Sequence, residues 1–287
     1  MRIIALDSSW LVASAAIVED DTVLAEYNVQ YKKKHSQTLL PMLEDIVKMT
    51  EFDMNTVDVL AVAAGPGSFT GLRIGSATVK GLGLVLDKKI AAVPTVDALA
   101  YNAYGCGDIV CPIMDARRNQ VYTGIYTFER NAEHGMDLNV IMPQCTADFP
   151  ELVSKLNEIG RPVCFLGDGV PVFLGKIKGE DSGLKVPYYF APAGHNRQRA
   201  VCVALAAEQY VREGRLETAE EHAPIYLRPS QAEREREDKI TEEKNKSAEE
   251  KNNSAEEKNK SAEREIKLEK ADSVEVLAAK QSVNALK

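Results

Sequence analysis

Cysteine, histidine and long apolar runs are scarce in this chain, and each scarcity closes a class of function. Five cysteines, Cys106, Cys111, Cys145, Cys164 and Cys202, form an odd set with no CxxC pair among 287 residues. That argues against a disulfide framework or a thiolate zinc site and fits reduced thiols in a cytoplasm. The four histidines, His35, His134, His195 and His222, have no metal-ligand spacing and are expected at surface or capping positions. No apolar run approaches the roughly 18 residues that a membrane span needs, and no leader is expected before the first strand. Positive charge is in deficit as well: 35 Lys and Arg face 43 Asp and Glu, a net -8. Phosphate neutralisation needs a basic face, so direct nucleic-acid binding is not expected. The basic groups Lys32-Lys33-Lys34 and Arg117-Arg118 read as solvated turns.

The last fifth of the chain is a different material. From Glu242 it reads EEKNKSA, EEKNNSA, EEKNKSA, a seven-residue repeat with one small alanine per unit. A coiled coil needs two large apolar positions per heptad, so the period is present without the adhesive. Residues 230-287 are expected to form a charged tail, disordered or loosely helical. Only its end is patterned, with Val276, Leu277, Val283 and Leu286 able to line one side of a short helix.

The body alternates strand and helix. Arg2 to Ala5 is an apolar run leading to Asp7-Ser8-Ser9, Ala13 to Val18 follows at hairpin distance, and Val23 to Gln30 is a third candidate strand. A helix is predicted from Thr38 to Met49, with Leu39, Leu40, Met42, Leu43, Ile46 and Val47 over one broad arc. Pro41 is expected in its first turn, where a missing N–H is not required. Val57 to Ala63 is continuously apolar, as a buried parallel strand is. The order then recurs: Val110 to Asp115 again ends in aspartate, the turn Ala116 to Gln120 leads into Val121 to Phe128, and Val163 to Leu166 opens into Gly167-Asp168-Gly169. The recurrence predicts an α/β chain of two duplicated lobes, 1-104 and 105-229, closed by a helix over Asn196 to Glu213 and a short strand near Ile225.

Between the lobes' motifs lies AAGPGSFTGLRIG, residues 63–75. A Walker loop needs GxxxxGK[ST], and no lysine follows before Lys80; a GxGxxG turn fails for want of its third glycine. Ser68 can cap a helix starting at Phe69, which leaves Asp7, Gly67 and Ser68 as candidate anion or nucleotide contacts. Inside that helix, which should run to Leu86, Gly71, Gly75, Gly81 and Gly83 together forgo roughly 3 to 4 kcal/mol of helix preference. Close approach of another backbone must offset the loss. It can belong to the protein's own sheet or to another protein's helix, and the residues alone leave both open.

MRIIALDSS, HSQTLLPMLEDIV, AVAAGPGSFTGLRIG, VPTVDALA and MDARRNQVY, in this order and spacing, resemble the bacterial TsaB (YeaZ) family over roughly residues 1 to 230. The resemblance implies the actin-like or Hsp70-like ATPase fold (ASKHA, RNase H-like) in two duplicated lobes. It also implies a role in adding the threonylcarbamoyl group to the adenosine beside the anticodon of tRNAs reading codons that begin with A. In that system the related subunit TsaD carries the metal and transfers the group, TsaE hydrolyses ATP, and TsaB is the non-catalytic scaffold. Such proteins pair with themselves or with TsaD through the two helices of the first lobe. Here that implies a partner interface at Leu39, Leu40, Leu43, Ile46, Val47, Phe69, Leu72, Arg73, Gly71, Gly75, Ser76 and Gly83, so that Gly71→Leu or Gly75→Leu should block association and leave a folded monomer.

The resemblance further implies that tRNA is reached through the complex, that no cofactor is tightly bound, and that ATP or ADP has a place only at the interface of the complex. The catalytic relative carries an HxxxH pair where this chain has Thr95 and Leu99, so neither a metal nor a catalytic residue is expected. Asp7 and Asp115 stand where nucleotide-binding members of the fold hold hydrated magnesium; with abbreviated glycine turns they read as structural aspartates. Arg117 and Arg118 are able to hold an anion or a partner carboxylate. An autonomous ATPase or kinase of the same fold is the alternative; a glycoprotease would need a metal or a nucleophile with a base, and neither is legible.

Overall fold

The computed structural model describes residues 1–31, 34–132 and 135–228. Its first sheet consists of β1 (Arg2–Asp7), β2 (Ala13–Glu19), β3 (Thr22–Val29), β4 (Val59–Gly65) and β5 (Lys89–Pro94), in the order β3-β2-β1-β4-β5. Ile3 and Ala5 of β1 point to one face and Ile4 and Leu6 to the other, and all four are fully buried. A strand apolar on both faces must be central and covered on both sides, and β1 lies between β2, antiparallel, and β4, parallel.

The second sheet repeats the first strand for strand: β6 (Ile109–Asp115), β7 (Gln120–Asn131), β8 (Gly135–Asp148), β9 (Val163–Leu166) and β10 (Tyr188–Phe190) lie in the order β10-β9-β6-β7-β8. Directions match as well, with β6 antiparallel to β7 and parallel to β9. The helices follow suit. After the third strand of each sheet comes α1 (His35–Met49) or α4 (Phe149–Ile159), after the fourth α2 (Phe69–Leu86) or α5 (Gly169–Lys178), and after the fifth α3 (Thr95–Ala100) or α6 (Ala200–Arg212). The chain therefore has the duplicated two-lobe ASKHA fold.

Three apolar layers hold it. α1 and α2 cover the outer face of the first sheet through Leu39, Leu43, Ile46 and Val79, and α4 and α5 cover the outer face of the second through Leu152, Leu156, Phe173 and Ile177. Between the sheets, α3 and α6 share one core with residues of both. Asp97 of α3 accepts hydrogen bonds there from Tyr126 of β7, 2.7 Å, and Tyr210 of α6, 3.1 Å, so a buried carboxyl group joins elements of the two halves.

Several expectations shift. α1 begins at His35, whose Nε2 lies 2.6 Å from the Trp10 carbonyl, so Pro41 is its seventh residue and not in the first turn. The carbonyl of Gln37, deprived of its donor, belongs to an exposed part of the helix, where water can replace the bond. α6 begins at Ala200 instead of Asn196, because its cap comes from the other lobe: Ser14 Oγ accepts from Ala200 N at 2.7 Å and Glu26 from Val201 N at 3.2 Å. Ile225 forms no strand; its N–H makes a single bond to the Ala64 carbonyl, 2.7 Å. β8, α4 and the short α5 were not legible in the sequence pattern. The repeat tail, its terminal apolar residues, Lys32, Lys33 and His134 lie outside the described residues.

Candidate functional site

The strand-end aspartates are held by their own chain. Asp7, at the end of β1, is 1% exposed and accepts from Ser9 N at 2.8 Å and Ser9 Oγ at 2.6 Å on one oxygen; burial pushes its carboxyl group up to about 6. Asp115, its counterpart on β6, accepts from Arg117 N at 2.9 Å and pairs with the Arg117 guanidinium at 3.2 Å. A cation of the protein thus sits at this carboxylate. Asp168, raised by burial, takes the Asp115 N–H and the Gln198 amide. Among the described residues no group of three or more His, Cys, Asp and Glu could hold a metal ion.

The expected anion contacts Asp7, Gly67 and Ser68 do converge, but on the loop after β1. Ser68 N donates to the Ser9 carbonyl at 2.6 Å, and a Cβ on Gly67 would stand 2.2 Å from the same oxygen. Ser68 Oγ caps α2 by accepting from Gly71 N, 3.4 Å. Two N–H groups at this helix start are therefore spent inside the chain, beside a buried carboxyl group that would repel an anion.

The glycines of α2 divide into two kinds. A Cβ on Gly71 would lie 2.1 Å from the Ser8 carbonyl, one on Gly75 2.8 Å from Ser8 Oγ, and one on Gly83 3.1 Å from the Lys88 carbonyl. Gly81 has nothing within 4 Å. A second flank of α2 is taken by the segment 217–228, which the sequence pattern did not reveal. Glu217 bridges to Ile90, Lys80 donates to the Glu220 and His222 carbonyls, His222 meets Ser76 Oγ at 2.9 Å, and Tyr226 stacks on Phe69 with centroids 4.9 Å apart and accepts from Arg73 Nε. His222, expected at a surface or capping position, is instead buried between Ser76 and Glu217. The same segment crosses the end of β4, where a side chain on Gly65, at φ +130°, would run into the Ile225 carbonyl.

What remains of α2 is an outward stripe: Thr70, Ala77, Gly81, Leu84 and Val85, the last two 60% and 84% exposed. α1, beside it, presents Leu40 at 54% and Met49 at 75%. Leu40 and Met49 lie nine residues apart, half a turn round α1, so the adjacent pair Leu84 and Val85 is the paired exposure of large apolar side chains here.

A family model for TsaD, the tRNA N6-adenosine threonylcarbamoyltransferase, matches residues 22–236. The tRNA threonylcarbamoyladenosine biosynthesis protein TsaB of Bacillus subtilis is 33% identical over 81% of this chain and 96% of its own length. The chain belongs to the TsaB (YeaZ) family. The TsaB protein of Escherichia coli is 29% identical over 79% of the chain and 95% of its own. YeaZ from Pseudomonas aeruginosa, 24% identical, shares the fold with a TM-score of 0.65 over 79% of this chain and 99% of that one.

In this TsaB-family chain, most of the expected partner face turns inward. Leu39, Leu43, Ile46 and Leu72 are at most 2% exposed in the core under α1 and α2, and Gly71, Gly75, Ser76 and Gly83 are buried against the chain's own loops. The glycines therefore serve the protein's own packing, and substituting Gly71 or Gly75 attacks the fold rather than a partner. Phe69 and Arg73 are engaged by Tyr226, Val47 is half-buried, and Leu40 alone of the expected set is a large apolar group more than half exposed. The positions that sequence reasoning missed, Met49, Ala77, Gly81, Leu84 and Val85, carry the signal of apolar residues left over once the inward arc is assigned. Thr95 and Leu99 are buried, and Thr95 Oγ1 accepts from Gly65 N at 3.2 Å. No helix among the described residues is long and apolar enough to cross a membrane.

Proposed function

We propose that this chain is a non-catalytic docking subunit of the cytoplasmic assembly that adds the threonylcarbamoyl group to adenosine next to the anticodon of tRNAs reading codons starting with A. It binds and activates the catalytic relative TsaD, works beside the ATPase TsaE, and pairs with itself in isolation. The observation that carries the reading is the outward stripe of α2: small residues at Ala77 and Gly81 permit close helix approach, and Leu84 and Val85 supply apolar area at one end. The chemistry is assigned to TsaD because the aspartates and the glycine turn of this chain are spent on internal bonds. Any ATP or ADP is held at the interface of the complex and not by this chain alone. On the proposed division into lobes 1-104 and 105-229, both docking helices belong to the first lobe.

Reconstitution tests this. TsaD, TsaE, tRNA, threonine, bicarbonate and ATP, with the carbamoyl-forming enzyme, should modify tRNA only when this chain is added, while the purified chain alone should turn over no ATP. Modification at full rate without the chain, or ATP turnover by it alone, refutes the reading.

A further inference from the structure

The turn between β6 and β7 gathers positive charge on a chain whose total is -8. Arg117, Arg118 and Asn119 take φ values of +62°, +52° and +65° in succession, a left-handed run that side-chain-bearing residues adopt only where their surroundings enforce it. Here Ala116 N donates to the Gln120 carbonyl at 3.0 Å, Gln120 N to the Arg117 carbonyl at 3.1 Å, and Arg117 N to Asp115. The result is that Arg117 and Arg118 are both exposed. Two further cations reach the same turn from distant segments: Lys176 of α5 donates to Asn119 Oδ1, and Arg228 donates to the Ala116 carbonyl at 2.6 Å. Of the four, Arg117 has a carboxylate partner, Asp115; Arg118, Lys176 and Arg228 have none among the described residues.

Arg118 on the turn, with Lys176 and Arg228 reaching it from two other segments, sets three cations without a carboxylate partner among the described residues at one tip, and the surroundings restrict which anion they suit. Asp115 and Asp168 lie beneath the turn, so an anion entering inward meets two carboxyl groups. At the outer tip, two guanidinium groups and one ammonium group spread over separate segments match successive phosphates better than one carboxylate. We propose that the β6–β7 turn, with Lys176 and Arg228, is an accessory contact for the phosphate backbone of RNA. The inference rests on the chain's place in a tRNA-modifying assembly, within which three charges supplement RNA binding that they are too few to sustain alone. Total charge hides the site, because it averages an acidic surface with one basic tip.

The test is the affinity of a fluorescein-labelled tRNA transcript, between 25 and 200 mM KCl, for the full chain alone and for its assembly with TsaD. Arg118→Glu with Lys176→Glu, both on exposed side chains, should weaken binding about tenfold at 50 mM KCl and lower the log–log salt slope by roughly 1.4 to 1.8, at the 0.7 to 0.9 per phosphate contact expected for two contacts. Arg118→Lys with Lys176→Arg should keep both. Unchanged affinity and slope in the charge-reversed protein overturn the proposal, as does an absence of RNA binding by both chain and assembly. It is equally overturned if millimolar ATP or inorganic phosphate displaces the RNA from this turn, which would make it a nucleotide site. Gel filtration of the same samples with TsaD keeps the two readings apart, since an assembly that forms yet ignores the charge reversal sinks this inference alone.

Discussion

His222 Nε2 stands 2.9 Å from Ser76 Oγ, in a position where the histidine is 2% exposed and its other ring nitrogen is 3.0 Å from Glu217. One imidazole thus fastens the closing segment to α2 and, through Glu217, to the bridge with β5. His222→Ala leaves the buried Ser76 hydroxyl without this partner, and the loss should cost about 1 to 3 kcal/mol of unfolding free energy in urea titration. Limited proteolysis should locate the new cleavage within residues 217–228. Ser76→Ala, which removes the smaller partner, should cost about 1 kcal/mol.

Asp7 gives stability a pH dependence of definite sign. Its folded carboxyl titrates at about 6 against an ordinary 3.8, mainly because it is buried. A raised folded pKa means that the contribution of Asp7 is fully present below about pH 4 and is lost as pH rises through about 6, by an amount on the order of 2 to 3 kcal/mol. Asp7→Asn keeps an oxygen for the Ser9 donors and removes the charge. The variant should be more stable than the parent at pH 8 and lose most of this slope between pH 4 and 6.5, as followed by denaturant midpoints across the range.

Two glycines of α2, ten residues apart, should respond in opposite directions. Gly71→Ala puts a methyl group 2.1 Å from the Ser8 carbonyl and should destabilise by more than about 2 kcal/mol. Gly81→Ala meets open space within the chain and should stabilise the isolated protein by about 1 kcal/mol of recovered helix preference. Urea unfolding of both variants checks the contrast.

The contrast also marks the limit of what the sequence discloses. Strands β1, β2, β4, β6 and β9 are legible as apolar runs, the Ser68 cap and the end of α2 at Leu86 are found where predicted, and the recurrence of strand, aspartate and glycine turn discloses the duplication. The face of α2 is not legible, because a helix apolar on nearly every side has no polar stripe to orient it, and the loop Ser8–Ser9 that claims Gly71 is 63 residues away. The segment 217–228 is hidden for the same reason: its bonds to Ser76, Lys80 and Ala64 span about 140 residues or more and leave no period. α6 starts late because its cap, Ser14, is supplied from the opposite end of the chain.

Docking of TsaD on the outward stripe of α2 is read most simply from an equilibrium dissociation constant. Leu84→Glu with Val85→Glu places two charges on groups already 60% and 84% exposed, so the fold should survive, with circular dichroism and the urea midpoint unchanged within about 0.5 kcal/mol. Measured by calorimetry against purified TsaD, this folded variant should bind at least about tenfold more weakly than the parent, a loss of roughly 1.4 kcal/mol or more. A folded variant that binds TsaD with the parent's affinity would mean that TsaD does not dock on this stripe.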